Sequence, residues 1–162
     1  MFKVSINSSL LFLVLLIQSC SINDCDDPAD EFNTTPYVLE IPSSLPPIEV
    51  PIGNPLTQEG VSLGRKLFYE PLLSADGTQS CASCHIQSTG FSDPSQYSTG
   101  IDGVQGDRNA MALINLMWSP SLNWDGSSSE LEDQAFEPVT NPIEMHDTWL
   151  NVTDKLNTHA EY

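Results

Sequence analysis

The sequence predicts an all-α domain with long loops, and three observations carry that prediction. Apolar residues recur at helical spacing in several separate stretches, no segment sustains the alternation of a half-buried strand, and the intervening segments are rich in Ser, Gly and Pro. One short motif, Cys81-Ala82-Ser83-Cys84-His85, concentrates more chemistry than any other part of the chain.

Taken in order, the chain opens on Lys3, an apolar run from Leu10 to Ile17, and Ser19 before Cys20, the n-region, h-region and cleavage site of a secretory signal over residues 1–19. The run is too short for a mature membrane span. Leu16-Ile17-Gln18-Ser19-Cys20 also resembles a bacterial lipobox, which implies lipidation of Cys20 and a periplasmic, lipid-anchored protein; an ordinary signal with Cys20 bonded to Cys25 is the alternative. Residues 20–55 read as an acidic tether: Ser21 to Pro55 holds seven prolines, Asp24, Asp26, Asp27, Asp30 and Glu31, a composition that favours a semi-rigid extended spacer. Ile41, Ile48, Val50 and Ile52 are apolar enough to lie on the folded body.

A folded domain is expected over residues 56–162. Thr57 caps a helix to about Tyr69, with Val61, Gly64, Leu67 and Phe68 on one face and Pro71 ending it. Gly60 and Gly64, one turn apart, suggest a close approach by something flat or by another helix. Leu72 to Gly77 turns the chain into Cys81–His85. C-x-x-C-H is the pattern of c-type haem attachment: two thiols add to the vinyl groups and the adjoining imidazole becomes the proximal iron ligand. A zinc site would want a second Cys/His pair at ligand spacing, and a redox pair would want a βαβ context; the sequence offers neither.

Gln87 to Gln105, with Pro94 in its middle, reads as a loop. Arg108 to Trp118 is apolar on nearly all sides and so buried if helical. Ser127 with Glu130, or Ser129 with Glu132, fits a capping box opening a short helix through Phe136 before Pro138. Asp147 or Thr148 caps a last helix with Trp149, Val152 and Leu156 on one face. A bound macrocycle would supply apolar area that so short a chain lacks, so the haem-free protein should fold poorly.

The formal charge is −17, and −18 once residues 1–19, with Lys3, are removed. Nucleic acid is excluded as a partner by the want of a basic face. A basic redox partner would be steered toward such a surface. Haem propionates add negative charge, which makes Arg65, Lys66 and Arg108 scarce and positioned.

Gly64 to Tyr69, Cys81 to His85, Gly106 to Ala110, Trp124-Asp125-Gly126, Leu131 to Ala135 and Asn141 to Met145 stand in one order. Together they resemble the bacterial di-haem cytochrome c peroxidase family with its methylamine-utilisation relatives. The resemblance implies a cytochrome c-like peroxidatic haem domain. His85 matches the proximal ligand, Trp124 the tryptophan between the two haems, Gln134 a pocket glutamine, and Glu144 the carboxylate that handles protons during peroxide cleavage. Asn109 matches a residue that binds calcium between the haem domains, which adds calcium to covalent haem c as an implied cofactor. The implied reaction is reduction of hydrogen peroxide with electrons from a small redox partner such as a cytochrome c. Its alternatives are a mono-haem electron-transfer module without peroxidase activity, and oxidation of an organic or protein substrate by the same ferryl chemistry.

Two departures matter. Members that need reductive activation carry a distal histidine sixteen residues after the proximal one, where this chain has Ile101, so the sixth iron position is expected to be open or water-filled. His146, Met111, Met117 and Met145 are the substitute ligands to consider. The family's second haem domain should begin beyond Tyr162, so the chain reads as a truncated member or as a mono-haem protein.

Overall fold

The computed structural model describes residues 34–162, which form one compact unit. The expected signal, Cys20 with its lipid or its bond to Cys25, and the start of the tether lie outside the described residues. Among the described residues no helix is long and apolar enough to cross a membrane.

Among the described residues four α-helices carry the fold: α1 (Gln58–Phe68), α2 (Cys81–Cys84), α3 (Leu131–Thr140) and α4 (Trp149–Thr158). Among the described residues β-pairing is confined to isolated bridges such as Ile86 with Ser92 and Thr99 with Gln105, so the all-α class holds. Helix α1 begins at Thr57 as expected, the hydroxyl accepting from the Gly60 N–H at 3.0 Å. The two glycines do not mark a close approach between helices. A Cβ on Gly60 would meet only the capping Thr57 oxygen, and no protein atom lies within 4 Å of one on Gly64.

The stretch from Arg108 to Trp118 is not a helix; only Leu116–Trp118 forms a 3-10 turn. Its backbone is committed elsewhere. Ala110 accepts from the Asp93 N–H, Met111 from the His85 ring, and the Leu113 N–H donates to Phe91. Helix α3 corrects both expected ends. It begins after Glu130 without a side-chain cap, and it runs through Pro138 to Thr140. Proline lacks an N–H donor, but near the end of a helix this leaves one carbonyl unpaired rather than breaking several turns. The Pro138 carbonyl is used, accepting from the Met145 N–H at 3.2 Å.

Helix α4 forms as expected, with the Thr148 hydroxyl accepting from the Asn151 N–H. Val152 is buried with Leu73, Val139 and Met145, and Trp149, Leu156 and Leu67 pack around them. An ion pair fixes α4 to the turn before the Cys81 motif: Lys155 donates to Asp147 and to the Ser74 carbonyl, each at 2.7 Å. Ser74 is fully buried and accepts from the Gln79 N–H. The buried Ser74 is thus tied to within two residues of Cys81.

Residues 34–57 lie along the body. Tyr37 pairs with Leu56, Gln58 with Thr35, and the Trp118 indole N–H donates to the Pro46 carbonyl at 2.9 Å. Ile41 and Ile48 are half-buried in a groove with Leu113, Leu116 and Leu131, while Val50 and Ile52 stay exposed.

Candidate functional site

Helix α2 is a single turn, which sets Cys81 and Cys84 on one face at i and i+3. Both thiols are free and partly buried. Burial pushes both up from the ordinary cysteine value. A redox-active C-x-x-C pair needs a lowered value, so this environment suits two thiols held side by side for covalent attachment.

His85 closes the turn and is held from the side. Its Nδ1 lies 3.0 Å from the carbonyl of Phe91 and 3.0 Å from that of Met111. Carbonyls only accept, so Nδ1 carries the proton and Nε2 keeps its lone pair for a metal. Phe91 reaches this position with φ of 57°, a left-handed conformation uncommon for a bulky side chain. Sequence reasoning missed Phe91 and Met111 because the contribution is a backbone carbonyl, which any residue possesses. Beside this anchor opens a hollow lined by Phe68, Tyr69, Phe91 and Leu113, with Arg65 and Gln87. Of the three bases singled out, Arg65 thus borders the hollow, Lys66 pairs with Glu161, and Arg108 pairs with Asp125 at 2.6 Å. Paired thiols, a fixed imidazole tautomer and an apolar hollow fit a covalently attached c-type haem.

Glu144 comes to the same place from fifty-nine residues further along the chain. Its carboxylate is raised above the ordinary glutamate value, chiefly by burial, with Asn141 and His85 pulling it down and Glu137 pushing it up. It acts in turn on Cys84, raising the thiol. The residue as a whole is exposed to solvent, and it is the protein packed near its carboxylate that raises it. Asn141 donates to it at 2.7 Å.

Gln134 is half-buried on α3, and its amide donates to Asn123 at 3.4 Å. Asn123, at φ of 60°, also donates to Glu137, the carboxylate that raises Glu144. Gln134 is therefore joined through Asn123 to Glu137, whose charge raises Glu144. Asn123 could have been suspected from sequence, since asparagine tolerates left-handed backbone better than other residues bearing a Cβ.

Trp124 and Asn109 form a separate pair. Trp124 is 65% exposed, so it is no core aromatic, and its indole N–H donates to the Asn109 carbonyl at 2.8 Å. The Asn109 amide donates to the carbonyls of Asp93 and Ser95. Among the described residues no three His, Cys, Asp or Glu side chains gather as a metal site, and the surroundings of Asn109 add no support for calcium. The substitute iron ligands lie elsewhere: Met145 is in the core, His146 pairs with Asp102, and Met117 lines the groove under residues 39–48. Met111 lends its carbonyl to His85.

Residues 58–162 match the family model for di-haem cytochrome c peroxidase. The methylamine utilization protein MauG of Methylorubrum extorquens is 40% identical over 112 residues, which is 69% of this chain and 32% of that protein. The cytochrome c551 peroxidase of Pseudomonas aeruginosa is 36% identical over 110 residues, 68% of this chain and 32% of that one. A MauG-like protein associated with microbial copper homeostasis, known from its crystal structure, superposes with a TM-score of 0.72 at 35% identity, covering 78% of this chain and 38% of that chain. The chain spans about a third of the length of the curated relatives it matches. With its sheet-free helical fold and its C-x-x-C-H motif, it belongs to the di-haem cytochrome c peroxidase family and corresponds to the N-terminal domain.

Proposed function

We propose that this domain is the peroxide-reducing part of an exported peroxidase, lipid-anchored through Cys20, that draws electrons from a small redox partner such as a cytochrome c. Covalently bound haem supplies the redox iron at which hydrogen peroxide is reduced. Cys81 and Cys84 hold it by thioether bonds, and His85 binds through Nε2, kept in that tautomer by the Phe91 and Met111 carbonyls. Glu144 takes a proton from one peroxide oxygen and returns it to the other, so that the leaving oxygen departs as water rather than hydroxide. Gln134, through Asn123, holds Glu137, whose charge keeps that carboxylate raised. Exposed Trp124 stands where electrons enter.

The observation that carries the reading is the state of Glu144: a carboxylate raised by burial and within electrostatic reach of His85 and Cys84. A raised value is what a proton shuttle near neutral pH needs.

The test is Glu144→Gln, which keeps the shape of the side chain and removes its exchangeable proton. We expect retained covalent haem and a fall of about a hundredfold in the bimolecular rate with hydrogen peroxide, measured by stopped flow. A rate within about threefold of wild type would overturn the role.

A further inference from the structure

Gly100 is enclosed by the turn that bears Glu144. A Cβ on it would stand 2.2 Å from the Ile143 carbonyl oxygen and 2.7 Å from that of Glu144. Both neighbours are backbone, so neither can swing aside as a side-chain tip would. The next residue, Ile101, donates its N–H to the Glu144 carbonyl at 3.0 Å. The one after it, Asp102, accepts from Nδ1 of His146 at 2.5 Å. Three successive residues of one loop thus grip residues 143, 144 and 146, from more than forty positions away in sequence.

The gripping loop is itself closed. The Gly100 N–H donates to Val104, Gly103 to Gly100 and Gly106 to Ser98, and Thr99 bridges to Gln105. Its other side is tied toward the attachment motif: Gln79, two residues before Cys81, donates its amide to the Thr99 carbonyl at 2.8 Å. The gripped turn is equally fixed. The Glu144 and His146 N–H groups both donate to the Asn141 carbonyl, and the Met145 carbonyl accepts from Ala75. His146 is held at φ of 51°, a left-handed conformation that persists in a residue with a Cβ only where its surroundings impose it.

We infer that the loop over residues 98–106 is a positioning clamp for Glu144, in which Gly100 provides the close approach, the Ile101 amide the register, and the Asp102–His146 pair the lock. The inference rests on the proton role of Glu144 proposed above. It adds three residues that act through the backbone of the turn. The lock is the weakest part, because both of its side chains are about half exposed and such pairs contribute little. The Gly100 contact is the strongest.

The experiment uses the haem-loaded full chain, with amide hydrogen exchange at Ile101 and the bimolecular peroxide rate read side by side. Gly100→Ala should raise exchange at Ile101 by about tenfold or more and slow the peroxide reaction toward the level of Glu144→Gln. Asp102→Ala, which removes no packing, should do the same more weakly, by roughly two- to fivefold in each readout. The exchanged pair Asp102→His with His146→Asp should restore both, which a merely destabilised loop would not do. Unchanged exchange at Ile101 in Gly100→Ala and Asp102→Ala would overturn the clamp. So would raised exchange with a wild-type peroxide rate while Glu144→Gln is slow, a result that leaves the proposed function standing. If Glu144→Gln itself reacts at the wild-type rate, the proposed function fails first and the clamp falls with it.

Discussion

Glu144 shows how much one side chain owes to its neighbours. Burial and Glu137 raise its carboxylate, while Asn141 lowers it. To accept a proton from peroxide the carboxylate must be ionised, so the bimolecular rate should rise with pH through a value above that of an ordinary glutamate, and fall away below it. Glu137→Gln removes a raising charge and should move this limb to lower pH. Asn141→Ala removes a lowering hydrogen bond and should move it to higher pH. Stopped-flow rates across pH would show the two opposite displacements; displacements in one common direction would mean that another group sets the limb. At this scale the sequence was legible where a side chain is proposed to act: Cys81, Cys84 and His85 share one turn, and Glu144 lies within electrostatic reach of Cys84 and His85. It was not legible where the backbone acts. Phe91, Met111 and Gly100 act through a carbonyl or through a missing Cβ, and such roles leave no mark in a pattern of side chains.

At the scale of elements, legibility followed the source of each helix's stability. Helices α1 and α4 announce themselves by a Thr cap and a one-sided apolar face, both local features, and both form where the spacing put them. The Arg108–Trp118 stretch has the apolar content of a helix but spends its hydrogen bonds on the Phe91 segment and on His85, a demand set by partners remote in sequence. Pro138 likewise is no stop signal once α3 ends two residues later. Helix α4 is fixed in place by Asp147 and Lys155. Burial alone would raise Asp147, but hydrogen bonds from Lys155 and Asn151 outweigh it and leave the carboxyl lowered. A lowered value in the folded state gives stability that is complete above the ordinary aspartate value and is lost as pH falls through the folded one. Asp147→Ala should cost about 2 kcal/mol near neutral pH, between the values for exposed and fully buried pairs, because Lys155 is left partly buried without its partner. Urea unfolding at neutral and acid pH would check this, since the difference from wild type should shrink in acid.

Over the whole molecule, the apolar core is slight. Among the described residues only five apolar side chains are buried, and four of them form one cluster beneath α4. The side chains around the attachment motif are half-buried, as expected of a pocket whose filling is not protein. Cys81→Ala with Cys84→Ala should abolish haem staining on a denaturing gel. It should also broaden the thermal transition followed by circular dichroism and lower it by on the order of 10 °C. A sharp, unshifted transition in the double variant would show that protein alone completes the core.

The two carbonyls on His85 also set the character of the ligand they hold. A carboxylate in their place would draw the ring proton toward itself, making the imidazole a stronger electron donor and tying that strength to its own ionisation. Peptide oxygens carry no titratable charge. The Nδ1 anchor of His85 therefore carries no charge of its own, in a chain that holds twenty-two acids.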